Sequence, residues 1–264
     1  KKVSRKEDVE KKRFGVCAPV SEAARLHKLG FDYIEVSASS LASMAEAEFA
    51  AFCAENQAAP IHAEAANCLF PGEIRLTGDA VDSDAVQAYI DRVMARLGAA
   101  GIQIAVFGSG GSRRVPEGFS KERAISQLGD VAYRLGEAAA KPGVTVVLEP
   151  LRREETNILN TQPESLAFVQ AVEHPNFKLL CDYYHLIVEG GTPEMAAACG
   201  DALRHVHIAN PDGRVAMKPG DKADYKAFFD ALRRAGYDAR VSFEGNASDY
   251  EAELPAALEV LKKA

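Results

Sequence analysis

Short apolar runs alternate along this chain with longer segments of helical period. The runs are RFGVCAP (13–19), YIEVSA (33–38), PIHAEA (60–65) and IQIAVFG (102–108). They continue with VTVVLEP (144–150), KLLCDYY (178–184), LRHVHIA (203–209) and ARVSFEG (239–245). Between them lie amphipathic stretches such as SEAARLHKLG, DAVQAYIDRVMARLGAAG, ERAISQLGDVAYRLGEAAA and DYKAFFDALRRAGY. In the third, Ile125, Leu128, Val131, Ala132 and Leu135 recur at three- and four-residue steps, one apolar stripe of a helix. Gly30, Gly101 and Gly236 stand where a left-handed helix cap needs a residue without a Cβ. Strands alternating with helices make a parallel sheet. A count of eight predicts a closed (β/α)8 barrel of the α/β class. An open doubly wound sheet more often carries a glycine-rich phosphate turn after its first strand, and CAPVSEAA is not one. We expect one barrel domain over 13–264, preceded by a charged extension over 1–12.

Composition narrows the function classes. The chain has 264 residues, ordinary for a single barrel of this kind. Its net charge of −7 disfavours nucleic acid as a partner. The basic start is interleaved with Glu7, Asp8 and Glu10, which reads as a solvated helix. The five cysteines, Cys17, Cys53, Cys68, Cys181 and Cys199, have no C-x-x-C spacing and are odd in number. Free thiols in a reducing compartment are expected, not a disulfide framework or a thiolate zinc site. The opening residues lack the apolar stretch of a secretory signal, and no apolar run is long enough to span a bilayer. A cytoplasmic protein without membrane contact is the expectation.

In a parallel barrel the C-terminal strand ends share one face, where chemistry is usually placed. Glu149 ends the fifth run, Asp182 the sixth, and Glu244 lies in the eighth, while the seventh carries His205 and His207. Glu149, Asp182, His207 and Glu244 are separated by 33, 25 and 37 residues, one strand–helix unit each. A single such Glu is more often an ion-pair partner, and a single such His a hydrogen-bonded core residue. Four on consecutive strands are another matter, because strand interiors deplete Asp and Glu. Three carboxylates brought together out of water could not all stay ionised without a cation. A mostly oxygen donor set with one nitrogen suits Mn²⁺, Mg²⁺ or Co²⁺. His205 and His207 point to one strand face, and spacing alone does not choose between them.

The stretches VVLEPLRREETN, CDYYHLIVEGG, HVHIANPDGR…KPGD and VSFEGN resemble the xylose-isomerase-like barrels. They look most like the branch of D-tagatose 3-epimerases and hydroxypyruvate isomerases. The resemblance implies a metal held by Glu149, Asp182, His207 and Glu244; of the divalent ions that suit this donor set, Mn²⁺ is the first expectation. It implies substrate contacts at Glu155, His185 and Arg214, the last offset by about one residue from the epimerase pattern. Relatives of this kind are often oligomers, so a homo-oligomer is implied too. The chemistry would be a sugar isomerase or epimerase: metal chelation of a carbonyl and adjacent hydroxyl, an enediolate, and Glu149 and Glu244 as the acid/base pair. His185 would hydrogen-bond a substrate oxygen.

The first half departs from those epimerases in two long loops, after the third and fourth runs. Gly108, Gly110 and Gly111 with Arg113 and Arg114 could bind an anion at the mouth, or form a solvated loop. His62 could touch substrate or be buried and bonded. Phe70 could wall a sugar or anchor its loop. Among rival activities, a lyase of the inosose dehydratase or 3-keto-glycoside-eliminating type resembles the same family. A DNA-repair endonuclease of this fold would need more metal-binding His and Glu and a basic groove. A non-catalytic sugar-binding barrel would leave three clustered carboxylates without a task.

Overall fold

The computed structural model of the protein describes residues 12–264. The expected extension over 1–12 lies, apart from Lys12, outside the described residues. Eight strands close into a parallel barrel in chain order. They are β1 (Arg13–Cys17), β2 (Tyr33–Ser37), β3 (Ala63–Asn67), β4 (Ile104–Phe107), β5 (Thr145–Leu148), β6 (Phe177–Asp182), β7 (Leu203–Ile208) and β8 (Arg240–Phe243). β8 returns to pair with β1, from Arg13 opposite Arg240 to Val16 opposite Phe243, so no strand edge is left open. The (β/α)8 expectation is therefore met.

The barrel interior is filled, not hollow. Tyr33, Ala65, Ile104, Val106, Val147 and Leu180 pack together inside it, each from a different level or strand. The larger core lies between barrel and helices. The helix Lys121–Ala140 contributes Leu128, Val131, Ala132 and Leu135 to it, the stripe visible in the sequence. Its entry is set by Ser120, whose side chain accepts from the Arg123 N–H. Asp82, Thr161, Asp224 and Asp249 cap their helices in the same way. Gly30, Gly101 and Gly236 take the positive φ values, 94°, 77° and 73°, that their cap positions require.

One boundary differs from expectation. β3 begins at Ala63, not at Pro60, and runs to Asn67. Its sequence AEAAN holds no β-branched or aromatic residue, so periodicity could not fix its ends. The shift of about three residues moves His62 off the strand and brings Asn67 to the strand's C-terminal end. Among the described residues, no helix is long and apolar enough to cross a membrane.

Candidate metal centre and its surroundings

The turn from β6 into the next helix prepares the first ligand. Asp182 ends the strand and caps the helix Tyr183–Val188. Its Oδ1 accepts from the Tyr184 N–H at 2.7 Å. Its Oδ2 is buried and, among the described residues, has no hydrogen-bond partner. The Arg214 Nη2 stands 3.7 Å from it, so the oxygen has a charge nearby but no donor, which is costly unless a cation coordinates it. Register supplies the second: Asp182 lies opposite His207 of β7, and His207 lies opposite Ser242 of β8. Glu149 and Glu244 follow β5 and β8 directly and keep the barrel's hydrogen bonding, Glu149 N–H to the Phe107 carbonyl and Glu244 N–H to that of Ile208. As a result, ligand atoms of Glu149, Asp182, His207 and Glu244 all lie within 4.8 Å of one another. The His207 Nδ1 is 3.2 Å from Glu149 Oε1 and 3.2 Å from Glu244 Oε2.

Beneath the cluster sits a carboxylate that sequence reasoning missed. Glu35 of β2 is 1 % exposed. Its Oε2 meets His205 Nε2 and its Oε1 meets His207 Nε2, both at 2.8 Å. The Ser242 hydroxyl donates to Oε2 at 2.5 Å, and the Tyr33 hydroxyl lies 2.7 Å from Ser242 Oγ. An ionised carboxylate only accepts, so both imidazoles present Nε2–H to it. That leaves the His207 Nδ1 facing the three carboxylates, the arrangement in which a carboxylate orients a metal-binding imidazole. The ambiguity between the two histidines is thereby resolved in geometry: His205 lies outside the cluster. The only visible signal for Glu35 was one acid inside the apolar run YIEVS.

Charges in the cluster are strongly perturbed. Burial and then Glu149 and Glu244 push the Asp182 carboxyl up to about 7. Burial and then Glu244 raise Glu149 as well. Burial would also raise Glu244, but His207 and Arg214 outweigh it and hold Glu244 at about 2. Burial would lower His207, but Glu35 and Glu244 outweigh it and raise its imidazole well above the ordinary value. The centre thus calls for positive charge at the point where the four side chains meet. The bare Asp182 Oδ2 and the oxygen-rich donor set fit a divalent cation. Gly108 is shaped to this arrangement, because a Cβ there would stand 2.3 Å from Glu149 Oε2.

His185, Glu155 and Arg214 gather at the rim. His185 is 2 % exposed, and its Nδ1 accepts from the Arg152 backbone N–H at 3.3 Å. Burial and then the Arg214 charge lower its pKa to about 3, so the ring is neutral. Its proton is therefore on Nε2, which lies 3.7 Å from Asp182 Oδ2 and 4.0 Å from Glu155 Oε2 and has no hydrogen-bond partner among the described residues. Arg214 pairs with Glu244, lies 3.5 Å from Glu155 Oε1 and stacks over the Tyr184 ring at 4.9 Å. Its backbone holds the left-handed region, φ 52°, a strain tolerated where the surroundings fix the residue.

Three other residues lie apart from the cluster. His62 precedes β3 at the opposite end of the barrel, where its Nδ1 meets the Asn56 carbonyl at 2.7 Å, so it does not join the cluster. Arg113 is fully buried, and its Nη2 donates to the Glu149 carbonyl at 2.8 Å, so it does not line an anion site at the mouth. Phe70 packs at 5.2 Å on Tyr89 and at 5.6 Å on Phe107 as a loop anchor. Asn67, unanticipated, donates from Nδ2 to Glu244 Oε1 at 3.1 Å.

Several known proteins of similar sequence are sugar epimerases by name. An L-ribulose 3-epimerase of Methylomonas sp. (strain DH-1) is 39 % identical over 117 residues, covering 44 % of this chain and 40 % of that protein. A D-psicose 3-epimerase of Agrobacterium fabrum is 27 % identical over 229 residues, 83 % of this chain and 76 % of that one. A 3-dehydro-D-guloside 4-epimerase of Escherichia coli is 32 % identical over 124 residues, 46 % and 45 %. The aligned stretch thus spans about two-fifths of the ribulose and ketose epimerases it matches. Among solved structures, a D-psicose 3-epimerase superimposes with a TM-score of 0.84 at 20 % identity, covering 95 % of this chain and 98 % of that one. A 3-keto-D-glucoside 4-epimerase of E. coli does so with a TM-score of 0.79 at 22 % identity, covering 96 % and 100 %. At such identities the superpositions speak to the fold. Over residues 23–264 the sequence also matches the family model of the xylose isomerase-like TIM barrel, and the chain belongs to that family.

Proposed function

We propose that this protein is a divalent-metal-dependent sugar epimerase or isomerase, moving a proton at the carbon beside a carbonyl, with Glu149 and Glu244 as the proton-transferring pair. The observation that carries this reading is the convergence of those two carboxylates on His207 Nδ1, 3.2 Å from each, beside the bare oxygen of Asp182. The names of the relatives, ribulose, psicose and 3-dehydro-guloside epimerases, support the same reaction class.

Glu149, Asp182, His207 and Glu244 would hold the metal. Mn²⁺ is the first expectation, with Mg²⁺ or Co²⁺ as alternatives. When bound, the cation supplies Lewis-acid polarisation of the substrate carbonyl, which acidifies the neighbouring C–H. The rest falls to the chain. One glutamate takes the proton from carbon, and a planar enediolate remains. Glu149 and Glu244 arrive from β5 and β8, three strands apart around the barrel, so they can flank that plane. Delivery of a proton by the other glutamate, protonated beforehand, to the opposite face inverts the carbon; return of the abstracted proton to the adjacent carbon isomerises the sugar. The neutral His185 offers its Nε2–H to a substrate oxygen on which charge develops. Arg214, steadied by Glu155 and Tyr184, holds Glu244 in place and keeps its negative charge compensated.

The test is product analysis. Protein loaded with Mn²⁺ is incubated with ketoses, aldoses, inososes and 3-keto-glycosides, with and without EDTA, and products are read by NMR. An epimer or isomer that forms only without EDTA is the expected outcome. Release of water or of an aglycone would reassign the centre to a lyase. EDTA-insensitive turnover would contradict the metal-dependent reading.

A further inference from the structure

Beside the cluster lies a cavity of about 690 Å³ that the chemistry above does not use. Val20 after β1, Val36 of β2, Leu41 and Met44 in the following segment, and Phe52 of the helix Glu46–Ala58 make its walls. Its inner end carries Cys17, Glu35 and Asn67. These residues join it to the centre. Asn67 donates to Glu244 Oε1 at 3.1 Å, and ligand atoms of Cys17, Glu35 and His207 lie within 4.8 Å of one another. A molecule whose reacting carbon sits between Glu149 and Glu244 therefore has an apolar chamber opening on its β1–β3 side.

Charge restricts what the chamber takes. Its described lining contains no Lys or Arg, and its ionisable acids are Glu35, Glu48 and Glu55. A phosphate or carboxylate appended to the sugar would be repelled there. Of the two arginines after β4, Arg113 is buried against the Glu149 carbonyl and Arg114 donates outward to the Glu154 carbonyl at 3.2 Å. A free ketose carries hydroxyls along its length and offers only narrow C–H faces to Val20, Leu41 and Met44. A volume of this size belongs to sites for larger ligands with apolar surface.

We infer that the chamber is a subsite for a neutral, apolar group joined to the sugar through oxygen, so that the substrate is a keto-glycoside with an alkyl or aryl aglycone. This rests on the proposed sugar-epimerase reading for the placement of the sugar itself. The glycosidic appendage occupies the walls after β1 and β2 while the keto-sugar ring lies over the cluster.

A chain-length series tests it. Methyl, propyl and pentyl D-glucosides, in both anomeric forms, are non-reacting probes whose binding to the Mn²⁺-loaded protein is measured by calorimetry. Affinity should rise about three- to fourfold for each added methylene until the chamber is full. Met44→Glu, and the milder Ser40→Glu at the exposed rim, should flatten that slope. Both should leave Mn²⁺ binding and methyl glucoside affinity unchanged. A flat series in the parent, no measurable binding of the pentyl compounds, or a slope untouched by both variants would overturn the subsite. Failure of the underlying reading looks different: the slope persists, yet no keto-sugar or keto-glycoside exchanges a proton. Conversely, exchange on free ketoses with a flat series removes the subsite and leaves the epimerase standing.

Discussion

Glu35 shows how one residue can order a centre it does not belong to. It fixes the ring of His207 from below, and its second oxygen is shared by His205 and Ser242. Partners of this kind, hydrogen-bonded to metal ligands, typically govern metal affinity by 10- to 100-fold. Glu35→Gln should therefore weaken Mn²⁺ binding by about that factor while circular dichroism stays that of the parent. Unchanged affinity would remove Glu35 from the centre. Asp182→Ala should be more severe, because it deletes both the bare oxygen and the helix cap. Loss of metal binding with the fold retained is the expected result; a variant that binds Mn²⁺ as the parent does would rule Asp182 out as a ligand. Gly108→Ala addresses Glu149 without touching it. The added methyl would occupy the space of the Glu149 carboxylate, so metal affinity and turnover should fall together.

At the scale of elements, legibility followed chemistry. Glu149, Asp182, His207 and Glu244 could be found because each stands at the end of an apolar run, and because the gaps matched one strand–helix unit. Glu35 could not, since an acid within a strand reads as a surface residue until the barrel closes around it. β3 misled for another reason: its alanines carry no strand preference, so the start slipped and His62 was drawn toward the wrong face. Arg113 misled because a loop arginine is normally solvated, whereas the short helix Gly110–Arg113 folds it under β5. The pairing of β1 with β2 offers a direct test of how tightly the interior is built. A Cβ on Gly15 would stand 2.4 Å from the Tyr33 ring, and Tyr33 in turn orders Ser242 above Glu35. Gly15→Ala should cost about 1–3 kcal/mol in urea unfolding through overpacking, and should loosen metal binding as well. A neutral substitution would mean that the Tyr33 ring moves freely.

On the scale of the whole molecule, a closed barrel brings residues from five strands, β2, β5, β6, β7 and β8, to one point. The three carboxylates of the cluster repel one another in the folded protein, and a bound cation would relieve this only there. Metal that binds the folded chain alone stabilises it by about 2.7 kcal/mol at a hundred times Kd. For a chain of this size that corresponds to a rise in Tm of about 5–10 °C. Scanning calorimetry with Mn²⁺ and with EDTA reads this directly, and coincident transitions would argue against a centre of useful affinity.

The most direct measurement of the central claim is proton exchange in D₂O. Mn²⁺-loaded protein, supplied with the keto-sugar or keto-glycoside that it binds, should place one deuterium at the carbon beside the carbonyl, followed by NMR. Glu149→Gln and Glu244→Gln should each abolish turnover while the sugar still binds. An epimer formed in D₂O without deuterium at that carbon, or turnover that survives both substitutions, would contradict proton transfer by this pair.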